Sequence, residues 1–170
     1  MIFGGMALTT RQFAGLVLVV SAAVIGAALL SQYWGGLDPC ELCLLERWPW
    51  WAAIAISALT WIIGNKLPLT GAALVLALVF FVSAGIGFYH VGVEQHWFPG
   101  PSACTASGAA ATSVDALRAQ LLGKQPVMCD EVQWSLFGIS LAGFNLIGSL
   151  AMAAFCAATA AWLAPRRVTA

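Results

Sequence analysis

The stretch from about Phe13 to Tyr33 holds no charged side chain and is apolar almost throughout. A helix of about 20 such residues is what crosses a hydrocarbon core about 30 Å thick, because lipid offers the backbone no hydrogen-bond partner. Three further segments share this character. One begins near Cys40 and continues through Trp48 to about Ile63, spanning about 44–63 with its charges confined to the first turns; the others cover about Thr70 to Val91 and Leu136 to Leu163. Four such segments take up more than half of the 170 residues, and the whole chain is 61% hydrophobic but only 8% charged. Soluble domains carry roughly 25% charged residues, and a soluble fold of this size could not hide so much apolar surface. Intrinsic disorder is excluded for the opposite reason, since there is too much apolar surface to leave unburied. Seven basic and seven acidic residues cancel, which leaves no bulk field for nucleic acid.

The expected fold is therefore an all-α integral membrane protein, an antiparallel four-helix transmembrane bundle forming a single domain over 1–170. The loops facing the far side would be about 34–43 and 92–135. Gly64-Asn65-Lys66-Leu67-Pro68-Leu69 is so short a link that spans two and three must run antiparallel. Ser83, Gly87, Gly143 and Gly148 are small enough for close helix approach. Arg11, Lys66, Arg166 and Arg167 fall on the side of both termini, with no acid. Opposite them lie Arg47, Arg118, Lys124 and all seven acids. Discounting Arg47, which sits in a helix start, the basic tally is four against two, so both termini are expected in the cytoplasm. The first apolar stretch exceeds the 7–15 residues of a signal h-region, so it is expected to be retained.

Cysteines are sorted by side. Cys156 lies within span four and is expected to pack as a small hydrophobe. Cys40, Cys43, Cys104 and Cys129 all fall on the external face, where an oxidising compartment favours disulfides. In Asp38-Pro39-Cys40-Glu41-Leu42-Cys43, Asp38 is expected to cap the helix with Glu41 completing a capping box, and Pro39 to occupy its first position. Cys40 and Cys43 would then sit in the first turns, where free N–H groups, the helix dipole and Cys-x-x-Cys spacing all favour thiolate. Arg47, four residues after Cys43, shares its face and can steady a thiolate or a charge developing on a bound acceptor. A second reading has Arg47 snorkel to headgroups beside Trp48, Trp50 and Trp51, which resemble an interfacial belt. Pro49 is expected to kink span two just below the cysteines.

Zinc is the competing use of these thiols, with Cys104 and Cys129 or His90 and His96 completing a site. The separation of the second pair lacks knuckle spacing, and no metal is expected. The external loop is too long for a mere connection. Phe98 to Cys104 is expected to be irregular and mobile, which would expose Cys104 to another protein's thiol. Ser113 to Leu122 reads as a short amphipathic helix, lying in the interface or packed on the surface.

One thiol pair in the loop and one at a helix start beside Arg47 form a relay for thiol–disulfide exchange. Its electron sink must be reachable from the bilayer boundary. The chain has no Gly-x-Gly-x-x-Gly for flavin or nicotinamide and no His pair spaced for haem within its spans, which leaves a membrane quinone.

Cys40-Glu-Leu-Cys43-Leu-Leu-Glu46-Arg47 resembles the signature of the disulfide bond formation protein B (DsbB) family. Cys129-Asp-Glu131-Val-Gln-Trp134-Ser-Leu-Phe-Gly138 is similar to the segment after that family's last cysteine. The resemblance implies a quinone-dependent protein-disulfide oxidoreductase of the bacterial inner membrane. Cys104 and Cys129 would form the disulfide that reoxidises a DsbA-like periplasmic thioredoxin-fold protein, and electrons would pass to Cys40–Cys43. Cys43 would be the thiolate facing the ring of ubiquinone or menaquinone. Arg47 would help bind that quinone, with His90 and Glu94 as further candidates. The partners expected are thus the periplasmic protein, lipid and quinone, and no nucleic acid. A vitamin K epoxide reductase-like enzyme is the nearest alternative, but there the loop cysteines precede the Cys-x-x-Cys. A non-enzymatic four-span protein braced by structural disulfides is the other; the tiny ring closed by a Cys-x-x-Cys makes a poor brace.

Overall fold

The structure is a computed structural model that describes residues 8–101, 104 and 127–163. It is built from four long helices: α1 (Thr10–Tyr33), α2 (Glu41–Ile63), α3 (Leu69–Glu94) and α4 (Leu141–Leu163). A 3-10 turn, Gly64–Lys66, joins α2 to α3. The strands β1 (Ser135–Leu136) and β2 (Ile139–Ser140) make an antiparallel hairpin ahead of α4, in register Ser135↔Ser140 and Leu136↔Ile139. The expected amphipathic helix at Ser113 to Leu122 lies outside the described residues.

Among the described residues, three helices, α1, α3 and α4, are long and apolar enough to cross a membrane. Their outward faces fit that environment: Val19, Leu78 and Phe81 are each at least 64% exposed, an arrangement that lipid tolerates and water does not. Helix α2 carries Glu41, Glu46 and Arg47 in its first turns, which dilutes its apolar length.

Inside, Phe13, Val17, Trp50, Leu76, Phe80 and Cys156 belong to one buried cluster drawn from all four helices. Phe13 stacks on Phe155 with centroids 5.7 Å apart, tying α1 to α4. Cys156 is fully buried there, as a small hydrophobe. Helices α3 and α4 meet along small residues. Ser83 and Ser149 share a 2.8 Å hydrogen bond, and a Cβ on Gly87 would stand 3.2 Å from the Leu146 backbone. Where lipid supplies no hydrophobic drive between helices, such close packing and interhelical hydrogen bonding must hold them.

At one end, Thr9 and Gln12 form a capping box that starts α1. Thr10 Oγ1 bonds the Leu67 carbonyl and Arg11 Nε bonds the Trp61 carbonyl, so the start of α1 adjoins the α2–α3 turn. Cys40, Glu94 and the hairpin occupy the opposite end, as antiparallel succession requires.

Three local expectations are corrected. The cap of α2 is Cys40 rather than Asp38: its Sγ accepts from the Cys43 N–H at 3.2 Å, and the helix begins at Glu41. The last helix begins at Leu141 rather than Leu136, because Phe137 (φ 53°) and Gly138 (φ 76°) turn the hairpin in a left-handed conformation that no helix allows. Third, the tryptophan run is split. Trp48 and Trp51 face outward at 70% and 46% exposure, whereas Trp50 is 2% exposed and packs edge-on against Phe80 at 5.1 Å.

Candidate active site

The start of α2, the end of α3 and the segment before the hairpin converge on one sulfur cluster. Cys40, at the cap, is held by local geometry: its Sγ receives the Cys43 backbone N–H and lies 3.0 Å from Cys43 Sγ. From α3, His90 brings Nε2 to 3.6 Å of Cys40 Sγ. The other ring nitrogen, Nδ1, sits 2.8 Å from Glu46 Oε1 in an ion pair where both side chains are buried. Glu46 therefore orients His90, and His90 faces the sulfur.

Cys104 and Cys129 are joined by a disulfide with Cα atoms 5.3 Å apart. The Cys104 N–H donates to the Pro101 carbonyl, and the Cys129 N–H donates to the Cys104 carbonyl. Contrary to the expectation of an exposed Cys104, both half-cystines are 1% exposed. They pack with Cys40, Leu42 and Val93 in a small apolar cluster flanked by Tyr89 and Val127. The expected looseness is also absent at its start, since Phe98 stacks against Tyr89 and the Tyr89 hydroxyl bonds the Pro99 carbonyl at 2.8 Å. Burying sulfur and aromatic surface is what docks this segment. As a result, the Sγ atoms of Cys40, Cys104 and Cys129 all lie within 4.8 Å of one another.

Electrostatics distinguish the two thiols of the helix start. The hydrogen bond from the Cys43 thiol is the main influence holding Cys40 down at about 4, against an ordinary 9.0. Burial opposes it; His90 and the Cys43 N–H assist. Donors thus converge on Cys40, whereas the resemblance implies the thiolate at Cys43. The Sγ atoms of Cys40 and Cys43 and a ring nitrogen of His90 also lie within 4.8 Å of one another. Such a set can hold a soft cation while the thiols are reduced, and a Cys40–Cys43 disulfide abolishes it. His96 takes no part; its Nδ1 lies 3.3 Å from the Val93 carbonyl.

Beside the sulfurs is a cavity of about 600 Å³, lined mostly by apolar side chains of α1, α2 and α4. Cys40, Cys43, Arg47, His90 and Glu94 all border it. Its volume and lining suit one organic ligand. Arg47 Nη1 donates to Gln32 Oε1 at 2.7 Å, so it is turned into the protein rather than outward. Glu94 accepts a short hydrogen bond from Ser140 Oγ, tying α3 to the hairpin. Sequence reasoning brought Cys40, Cys43, Arg47, His90 and Glu94 forward as candidates, and they share this cavity. It missed Glu46 as the partner of His90, Gln32 as that of Arg47, and the Trp50–Asn145 hydrogen bond of 2.7 Å. An acid three residues after Cys43, on the thiols' face of an otherwise apolar helix, was the available signal for Glu46.

A helical membrane protein with a dithiol capping one helix, a disulfide stacked on it and a ligand-sized cavity alongside belongs to the class of membrane thiol–disulfide oxidoreductases. Comparison with known proteins narrows this. The sequence profile of the family described as "Disulfide bond formation protein DsbB" matches residues 10–159. Disulfide bond formation protein B of Marinobacter nauticus is 30% identical over 82% of this chain and 85% of its own length. Its namesake from Aromatoleum aromaticum is 31% identical over 86% of this chain and 89% of its own. Disulfide bond formation protein B 2 of Pseudomonas savastanoi pv. phaseolicola is 30% identical over 85% and 84%. No solved structure matches the chain. The chain belongs to the DsbB family: it is a multi-pass bacterial membrane protein of disulfide bond formation and a disulfide-forming oxidoreductase.

Proposed function

We propose that this protein reoxidises a DsbA-like periplasmic thioredoxin-fold dithiol protein and passes the electrons to a membrane quinone. The observation that carries this reading is the sulfur stack: Cys40 Sγ within 4.8 Å of both Cys104 and Cys129, and 3.0 Å from Cys43 Sγ. In the first exchange the partner's two thiols become a disulfide and Cys104–Cys129 becomes a dithiol. In the second, that dithiol is reoxidised as Cys40–Cys43 is reduced, each step passing through a mixed disulfide. Direction follows from the thiolate at Cys40. A stabilised thiolate at Cys40 favours the reduced form of its pair, which is the direction the relay requires.

The cavity's size, apolar lining and contact with both thiols fit a quinone of the ubiquinone or menaquinone class. When bound, that group accepts two electrons and two protons, leaving Cys40–Cys43 as a disulfide. Cys40 and Cys43 border the binding space, Arg47 supplies a fixed cation to it, and His90, oriented by Glu46, holds a proton-carrying nitrogen against Cys40. Glu94 lines the same space. The reading takes α2 as the fourth span, an inner-membrane location, both termini in the cytoplasm and the sulfur stack at the periplasmic boundary. Arg11 and Lys66 share the end of the bundle opposite the cysteines, which supports that orientation.

The decisive experiment is quinone reduction by purified protein supplied with a reduced thioredoxin-fold donor. Steady quinol formation by wild type, abolished in Cys43→Ser, is expected. Failure of wild type to transfer electrons from donor to quinone would overturn the proposal.

A further inference from the structure

The cavity contains a polar feature that the sulfur chemistry leaves unused. Asn145 of α4 accepts a 2.7 Å hydrogen bond from the indole Nε1 of Trp50 on α2. An indole nitrogen can only donate, so the amide oxygen must face Trp50 and the amide nitrogen must point elsewhere. That nitrogen, Nδ2, is shielded from bulk solvent and has no hydrogen-bond partner among the described residues. Trp50 is itself immobilised, 2% exposed and packed edge-on to Phe80. Rotating the amide would break its bond to Trp50 and set nitrogen against an N–H. Both residues border the same cavity as Cys43 and Arg47. In a mainly apolar pocket, a few fixed polar groups decide how a ligand lies, and a buried donor without a partner is disfavoured until an acceptor arrives.

We propose that Asn145 is a ligand-binding residue whose Nδ2 donates a hydrogen bond to a carbonyl oxygen of the quinone-class ligand, and that Trp50 is the positioning residue that keeps the donor turned toward it. This rests on the quinone reading above. It adds a recognition point on α4 to the cation that α2 brings to the same cavity. Selection follows: a ring carbonyl satisfies the amide, whereas an apolar molecule of equal size leaves it unpaired.

The test is equilibrium binding of a short-chain benzoquinone to oxidised wild type, Asn145→Leu and Trp50→Phe. Binding is followed by the ligand-dependent rise in Tm and by the infrared carbonyl band of the bound quinone. Asn145→Leu is expected to weaken binding about tenfold and to remove the hydrogen-bonded shift of one carbonyl band. Trp50→Phe keeps the ring's bulk but frees the amide, so a smaller loss of a few-fold is expected. If both variants bind within about twofold of wild type with the carbonyl band unchanged, while their ligand-free Tm falls, Asn145 serves only to tether α2 to α4 and the proposal is overturned. A wild-type protein that binds no benzoquinone overturns the quinone reading itself, and this proposal with it.

Discussion

The thiolate at Cys40 makes a quantitative prediction about acid. An ordinary thiol at 9.0 is about 1% ionised at pH 7 and about 0.01% at pH 5, whereas a group near 4 is almost wholly ionised at both. Nucleophilicity falls with basicity by a Brønsted factor of about 0.4–0.5, so five units cost Cys40 roughly 100- to 300-fold per thiolate. The two effects nearly cancel at pH 7. At pH 5 they do not: about 10⁴ in ionisation against that loss leaves Cys40 roughly 30- to 100-fold more reactive than an ordinary thiol. The fully reduced protein is therefore treated with a small alkylating reagent between about pH 3 and 7, and modification at Cys40 is followed by mass spectrometry. A nearly flat rate from pH 7 to 5, then a fall through about 4, is expected. Replacing His90 with alanine removes the donor 3.6 Å away and should move that fall to higher pH. The sign carries over to stability. A depressed folded value means that the reduced form's contribution is complete above 9.0 and is lost as pH drops through about 4. A rate declining tenfold per pH unit from 7 downward would refute the assignment of the thiolate to Cys40.

Three other outcomes are expected. Arg47→Ala should weaken quinone reduction more than exchange with the soluble dithiol partner, since Arg47 borders the cavity and not the loop disulfide; equal losses in the two assays would count against its role. Cys129→Ala should accumulate a mixed disulfide between Cys104 and a thioredoxin-fold protein, visible on non-reducing gels, and its absence would remove the first exchange. Gly87→Val should destabilise by about 1–3 kcal/mol in thermal unfolding, because its Cβ would already lie 3.2 Å from the Leu146 backbone before the branching methyls are placed. An unchanged Tm would mean that α3 and α4 have room to part.

How far the chain could be read without coordinates differed by element. Uncharged apolar length announced α1, α3 and α4 within a few residues, as it depends only on local composition. The start of α4 was misread because Leu136 and Ile139 continue the apolar run, while the positive φ of Phe137 is a backbone property that hydropathy does not carry. Trp48, Trp50 and Trp51 read alike as residue types, yet helical phase sends only Trp50 inward.

The sequence by itself determined that this chain lives in lipid, that its reactive sulfurs cluster on one side and that Cys40 and Cys43 stand at a helix start. These depend on residue type and short spacing, which survive in one dimension. Only the tertiary structure decided that the loop disulfide is buried against Cys40, that Glu46 holds His90, and that Trp50 turns Asn145. Each joins residues from different helices or from across the loop, and packing alone chooses which distant side chains meet.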